Sequence, residues 1–162
     1  MRIVITGGYG FLGHRVASQL LARGDVDELL LFDNAPPAVP LPEDKRLSIV
    51  TGDIADAQAV RQVISAGTHS VFHLAAVVSG QAEADTEVGY RVNLDGTRAV
   101  LDACRALGNC PRVVFASSLA GYGGALPPAA RRRRLRASWR IAGVGRFRAS
   151  GRHRAPRASR RD

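Results

Sequence analysis

Apolar residues fall in two kinds of block along this chain. Short unbroken runs alternate with stretches in which apolar side chains return every third or fourth position. The first kind suits a strand buried on both faces and the second an amphipathic helix. Arg2–Thr6 reads as the first strand. Phe11–Arg23 reads as a helix with Leu12, Val16, Leu20 and Leu21 on one side and Gly24 as its stop. Leu29–Phe32 is a second strand closing at Asp33, and Leu47–Val50 a third. Asp56 is placed to cap a helix that turns Val60, Val63 and Ile64 inward and ends at Gly67. Val71–Ala76 is the fourth strand. A longer helix follows from about Asp85 to Leu107, with Tyr90, Leu94, Leu101 and Cys104 on its inner face and Gly108 as its stop. Arg112–Ala116 is the fifth strand and runs into Ser117 and Ser118.

Strands alternating with helices imply parallel pairing through right-handed crossovers. The fold class expected is therefore α/β, a Rossmann-type doubly wound parallel sheet truncated after about five strands. The pattern stops after Gly123 and Gly124. Residues 34–46 hold four prolines and read as an exposed connection.

Charge divides the 162 residues differently from hydropathy. The net charge is +9, but residues 1–130 carry 10 Lys+Arg against 13 Asp+Glu, and residues 131–162 carry 13 Arg against one acid. The basic balance thus describes the tail and not the folded part. Residues 1–127 are read as one domain and 128–162 as an Arg-rich tail, disordered because it has little to bury. No apolar run approaches the roughly 20 residues that span a bilayer. No leader is visible at Met1–Arg2, and the two cysteines, Cys104 and Cys110, have no metal or disulfide spacing. A cytoplasmic protein with no metal and no membrane contact is the expectation.

The chemistry gathers after the first strand. Gly8-x-Gly10-x-x-Gly13 fits the general dinucleotide fingerprint, and Thr6 followed by Gly7-x-x-Gly10-x-x-Gly13 fits a second spacing. Both lie between a strand and a helix, the context in which such a loop cradles a pyrophosphate on backbone N–H groups. A tight turn with no ligand is the plain alternative. Asp33, 20 residues after Gly13, can accept hydrogen bonds from the adenosine ribose and would repel a 2′-phosphate, which favours NAD over NADP. Asp53 could meet the adenine amino group with Ile54 on the ring, or be an ordinary turn acid. His73, mid-strand among apolar neighbours, reads as a packed core histidine. Asn93 inside a helix has a hydrogen-bonding task or faces solvent. Ser117 and Ser118 end a parallel strand, where open α/β sheets hold ligands, although paired turn serines would look the same.

Taken together these segments resemble the extended short-chain dehydrogenase/reductase family, the NAD-dependent epimerase/dehydratases. The matching pieces are Thr6–Gly13, Asp33, Gly52-Asp53-Ile54, His73–Ala76, Val92–Thr97 and Phe115–Gly123. The stretch from His73 to Asp85 with Gly89–Thr97 is most similar to the D-erythronate dehydrogenase group, which implies a four-carbon sugar acid as substrate. The resemblance implies that Gly7, Gly10, Phe11, Leu12 and Gly13 line the pyrophosphate. It further implies that Asp33 holds the ribose, that Asp53 and Ile54 border adenine, that Leu74, Ala75 and Ala76 pass under the cofactor, and that Asn93 braces the site. Ser118 matches the catalytic serine, and Gly121 stands where a larger apolar residue is usual.

The family's hydride chemistry also uses a tyrosine and, four residues later, a lysine. Tyrosines occur here at 9, 90 and 122 and the sole lysine is Lys45, so there is no Tyr-x-x-x-Lys. The expectation is an NAD-binding portion that is inactive by itself, with an open sheet edge that favours self-association. The tail, with 13 Arg and no Lys, has the composition of a GC-rich frame read out of register. A frame-shifted or truncated gene product diverging between about Ala125 and Arg131 is therefore expected, which sequencing the locus tests. Two other readings remain. One is a non-catalytic NAD-binding protein. The other is a binder of nucleic acid or acidic surfaces, nonspecific in character, through residues 131–162.

Overall fold

The structure, a computed structural model, describes residues 1–37, 39–78, 82, 84–117 and 139–140. Its elements run β1 (Arg2–Thr6), α1 (Phe11–Leu21), β2 (Glu28–Asp33), β3 (Leu47–Thr51), α2 (Ala57–Val63) and β4 (Thr68–His73). These are followed by α3 (Thr86–Tyr90), a π-helical turn (Arg91–Asp95), α4 (Gly96–Ala106), β5 (Arg112–Phe115) and β6 (Trp139–Arg140). The sheet order is β3-β2-β1-β4-β5-β6. The first five strands are parallel, as the alternating pattern requires, and β6 adds two residues antiparallel to β5. The remainder of the tail, and the expectations placed on it, lie outside the described residues.

Alternate residues of each central strand enter one of two cores. Val4, Leu30, Phe32 and Val71 pack with Val60 and Val63 of α2 and Val100 and Cys104 of α4. Ile3, Ile5, Leu29 and Leu31 pack with Ala17, Leu20 and Leu21 of α1. This two-sided burial explains the unbroken apolar runs. The sheet reverses direction of growth at β1, which sits between β2 and β4. Thr6 pairs in register with Phe32 on one side and His73 on the other. The crevice above that junction is where an open α/β sheet takes its ligand.

The boundaries differ from expectation where backbone packing overrides side-chain pattern. The inner face of α1 is Gly13, Ala17, Leu20 and Leu21, whereas Leu12 is exposed, because the helix starts flush against the glycine loop. The fourth strand covers Thr68–His73 and not Val71–Ala76, since Leu74–Ala76 leave the sheet to pass beneath Gly7. The long second-half helix is broken into α3, the π turn and α4. A π turn inserts one residue and so rotates the upstream face by about 100°. That is why Cys104 is buried as expected while Tyr90 and Leu94 are exposed. On β5, Val114 and Phe115 are partly bare.

Asp56 caps α2 as its sequence position suggested, accepting from the Gln58 and Ala59 amides at 2.8 and 3.3 Å. Asp56→Ala is expected to lower stability by about 1 kcal/mol in a denaturant titration. Arg46, across the proline-rich connection, donates to the Leu21, Arg23 and Val26 carbonyls and so closes the end of α1.

Candidate functional site

The carboxyl ends of β1, β2 and β4 set the site's floor. After Thr6 the chain turns with Gly7 at φ +70, and the Gly7 and Gly8 amides both donate to the Phe32 carbonyl, at 2.9 and 3.3 Å. Three of the four glycines here are required by the protein's own packing. A Cβ on Gly7 would lie 2.6 Å from the Ala75 nitrogen, and one on Gly8 2.7 Å from the Leu31 Cβ. One on Gly13 would lie 2.3 Å from the Gly7 oxygen.

Gly10 is different. A Cβ there would meet only the Gly7 oxygen, at an ordinary 3.5 Å, and its φ of −71° suits any residue. Nothing among the described residues calls for a glycine at this position. It is also the N-cap of α1, where it offers no side chain to the free amides, and the first turn carries no acid. By contrast α2 and α3 are capped by Asp56 and Asp85. The start of α1 thus presents first-turn N–H groups with no capping side chain, a favourable dipole and a cradle that a methyl group would fill, which together fit a diphosphate. Phe11 and Leu12, exposed beside it, leave this approach open.

Asp33 stands at the end of β2 next to this cradle. Its Oδ2 accepts from the Tyr9 amide at 3.0 Å and its Oδ1 from the Asn34 amide at 2.8 Å, so the carboxylate is oriented by backbone on both oxygens. Tyr9 turns its ring into the α1-side core, and its buried hydroxyl lies beside Thr51 without a well-formed hydrogen bond. Burial raises the phenol's pKa above its ordinary value.

Asp53 follows β3 and accepts from the Ala55 amide at 2.9 Å, while Arg91 of the π turn pairs with its other oxygen. The Ala55 hydrogen bond first, and the guanidinium beside it, hold this carboxyl below the usual range. Arg91 is a site neighbour that sequence reasoning passed over, although a cation two residues before Asn93 was legible. Ile54 is almost wholly buried against α4, where a Cβ on Gly96 would come 2.9 Å from its Cγ2. Its side chain is therefore committed to the core first.

Leu74 holds the floor through its amide, which donates to the Thr6 carbonyl at 2.9 Å. Ala75 runs directly under Gly7, and Ala76 leads on to Val77. Asn93 grips Val77 with both ends of its amide: the Val77 N–H donates to Oδ1 at 2.8 Å and Nδ2 donates to the Val77 carbonyl at 3.0 Å. An asparagine inside a helix here has the hydrogen-bonding task its poor helix propensity suggested. Asn93, Ala75 and the glycine loop are thus brought together, with Asp33 on one flank and Asp53 beyond it. Ser118, together with Gly121 and Tyr122, lies outside the described residues.

His73 is buried at the junction, with Thr6 Oγ1 at 2.7 Å from Nδ1 and Thr97 Oγ1 at 3.0 Å from Nε2. Burial lowers its pKa to about 4, so the ring is neutral near pH 7. The sequence suggested a satisfied core histidine but not its partners. Among the described residues no group of three His, Cys, Asp or Glu could hold a metal, and no helix is long and apolar enough to cross a membrane.

Comparison with known proteins adds a second line. The model of the NAD dependent epimerase/dehydratase family matches residues 3–138. The D-erythronate dehydrogenase of Cupriavidus necator is 51% identical over 137 residues, which cover 79% of this chain and 42% of that protein. The D-erythronate dehydrogenase of Haemophilus influenzae is 42% identical over 129 residues, covering 78% and 41%. Among solved structures, a nucleoside-diphosphate-sugar epimerase from Agrobacterium tumefaciens superposes with TM-score 0.70 at 36% identity, over 78% of this chain and 40% of that one. A uronate dehydrogenase variant from the same organism, complexed with NAD, gives 0.59 at 35% identity, over 72% and 40%. The chain spans about two-fifths of the length of these curated relatives.

Proposed function

The chain belongs to the NAD dependent epimerase/dehydratase family, and on that premise we propose that it is the NAD-binding part of a dehydrogenase acting on a D-erythronate-like sugar acid. The observation that carries the cofactor half of this reading is Gly10, a glycine the fold does not need at an uncapped helix start. The substrate half rests on the relatives at 51% and 42% identity, both named for D-erythronate.

When bound, NAD would supply a hydride acceptor. The chain's own residues bind and orient it. The first-turn amides at Phe11, Leu12 and Gly13 would face the diphosphate, with Gly7 shaping the turn and Gly10, whose own N–H donates to the Gly7 carbonyl at 3.3 Å, leaving room for the approach. Asp33, already aimed by the Tyr9 and Asn34 amides, accepts from the ribose hydroxyls and disfavours a 2′-phosphate. Asp53 would accept from the adenine amino group, and the backbone at Ile54, whose side chain is buried against α4, would border the ring. Leu74, Ala75 and Ala76 form the floor that Asn93 secures through Val77, and Ser118 is the residue that would hydrogen-bond the reacting oxygen of the substrate. These 162 residues include no Tyr-x-x-x-Lys. General acid–base help of this kind contributes roughly 10²–10⁴-fold, so the chain alone is expected to bind without turning over.

Isothermal titration of the purified chain with NAD and with NADP tests the cofactor half. Saturable binding with at least about tenfold preference for NAD, a difference near 1.4 kcal/mol, is expected. Asp33→Ser should narrow that preference. No saturable binding at millimolar NAD overturns the reading, and steady NADH production from D-erythronate by the chain overturns its inactivity.

A further inference from the structure

The floor and the glycine loop are fastened together by a chain of hydrogen bonds that runs from the buried Thr6–His73 pair out to the exposed Asn93. Thr97 Oγ1 donates its proton to the Asn93 carbonyl at 2.7 Å. Its oxygen can then only accept from His73, so Nε2 carries the ring's hydrogen. A neutral ring protonated at Nε2 has a lone pair at Nδ1, and the Thr6 hydroxyl must donate to it. The donors therefore run in single file from Thr6 through His73 and Thr97 to Asn93. Every proton has one place, and no member can turn without unpairing the next.

The two ends of this file matter. Thr6 is the last residue before Gly7, whose turn sets the approach to α1. Asn93 lies in the π turn and holds Val77, the residue after the Leu74–Ala76 floor. π turns recur at functional sites because they re-aim a side chain that a regular helix would point elsewhere. Here the re-aimed side chain is that of Asn93, and its own carbonyl is held by Thr97.

We propose that His73 is a positioning residue that locks the Asn93 turn and the Val77 floor to the glycine loop through the Thr6–His73–Thr97–Asn93 file, so that the dinucleotide meets both in one fixed arrangement. It touches no ligand. This inference rests on the cofactor reading above for its binding consequence, but its structural content stands apart from that reading. Glutamine has an oxygen acceptor and an N–H donor at nearly the spacing of the two ring nitrogens, so His73→Gln can keep the file, whereas His73→Leu breaks it, taking the acceptor from the Thr6 hydroxyl and the donor from the Thr97 oxygen, which keeps only its bond to the Asn93 carbonyl.

The test uses the full chain at a temperature where circular dichroism shows each variant folded. Amide hydrogen exchange at Val77 is expected to quicken by about tenfold or more in His73→Leu and to stay near the parent rate in His73→Gln. In the parent, ¹⁵N shifts of the ring should report the neutral form with hydrogen on Nε2. NAD affinity should fall about tenfold in His73→Leu and no more than about threefold in His73→Gln. Thr6→Val and Thr97→Val do not touch each other, so independent effects would multiply. Transmission through His73 predicts a double variant departing from the product by at least about threefold. A parent ring protonated on Nδ1, or unchanged Val77 exchange in His73→Leu, overturns the proposal whatever NAD does. Multiplicative effects in the double variant overturn its binding consequence. Failure of the parent to bind NAD, with the exchange and ring results as expected, overturns only the cofactor reading.

Discussion

Gly10→Ala is expected to fold like the parent chain and to bind NAD about 10–100-fold more weakly, the equivalent of losing one charge-assisted hydrogen bond of about 1.5–3 kcal/mol. The new methyl group meets nothing among the described residues closer than 3.5 Å, so the melting temperature should barely move. On the proposed reading it would, however, stand where the diphosphate approaches the backbone. Gly13→Ala is the control with the opposite signature. There the Cβ falls 2.3 Å from the Gly7 oxygen and 2.7 Å from Gly8 backbone atoms, which cannot swing aside. Overpacking against backbone costs about 3 kcal/mol, so this variant loses stability first and binding only as a result. Thermal unfolding paired with NAD titration separates the two. If Gly10→Ala bound NAD as tightly as the parent, the glycine would have no ligand to explain it, and the site would be misplaced.

Stability should fall as pH drops from about 6.5 to about 4, and His73 should account for most of that fall. The histidine's pKa is pushed down to about 4 in the folded chain by burial among Thr6, Thr97 and the Phe115 ring. In the unfolded chain it returns to about 6.5. Between those values the unfolded state binds a proton that the native state refuses, so unfolding becomes easier as pH falls. The slope is about 1.4 kcal/mol per pH unit and the total about 3 kcal/mol. Above pH 6.5 the contribution is complete, and below 4 no more is lost. Carboxylates held low, such as Asp53 by the Ala55 amide and Arg91, lose their contribution only at more acid pH. Urea titrations at pH 7, 6, 5 and 4.5 measure the slope, and His73→Gln should flatten it. A parent chain equally stable at pH 7 and 4.5 would contradict a neutral buried ring.

Much of the site was legible one residue at a time. The apolar runs gave the five parallel strands because two-sided burial leaves a strand no polar face to show. The glycine loop was legible because it falls between a strand and a helix, and Asp33 because strand two ends on it. Asn93 stood out as a poor helix former placed mid-helix. The π turn was not legible, since an added residue in a helix leaves no composition signal and only shifts which side chains turn inward. Tyr90 and Leu94 were misplaced for that reason, and Leu12 because the close seat of α1 depends on Gly13 and not on bulk.

What the sequence determined by itself was the order of elements and the glycine-rich loop between β1 and α1, because hydrophobic period and glycine spacing are local properties. It also supplied the lack of a Tyr-x-x-x-Lys among these 162 residues. Only the tertiary structure could separate Gly10 from Gly7, Gly8 and Gly13, since the need for a glycine depends on atoms that lie far along the chain, such as Ala75 and Leu31. It alone paired Arg91 with Asp53 and set His73 between Thr6 and Thr97. Those contacts join residues 24 to 67 positions apart, and such partners are chosen by how sheet and helix stack rather than by any pattern that neighbouring residues can carry.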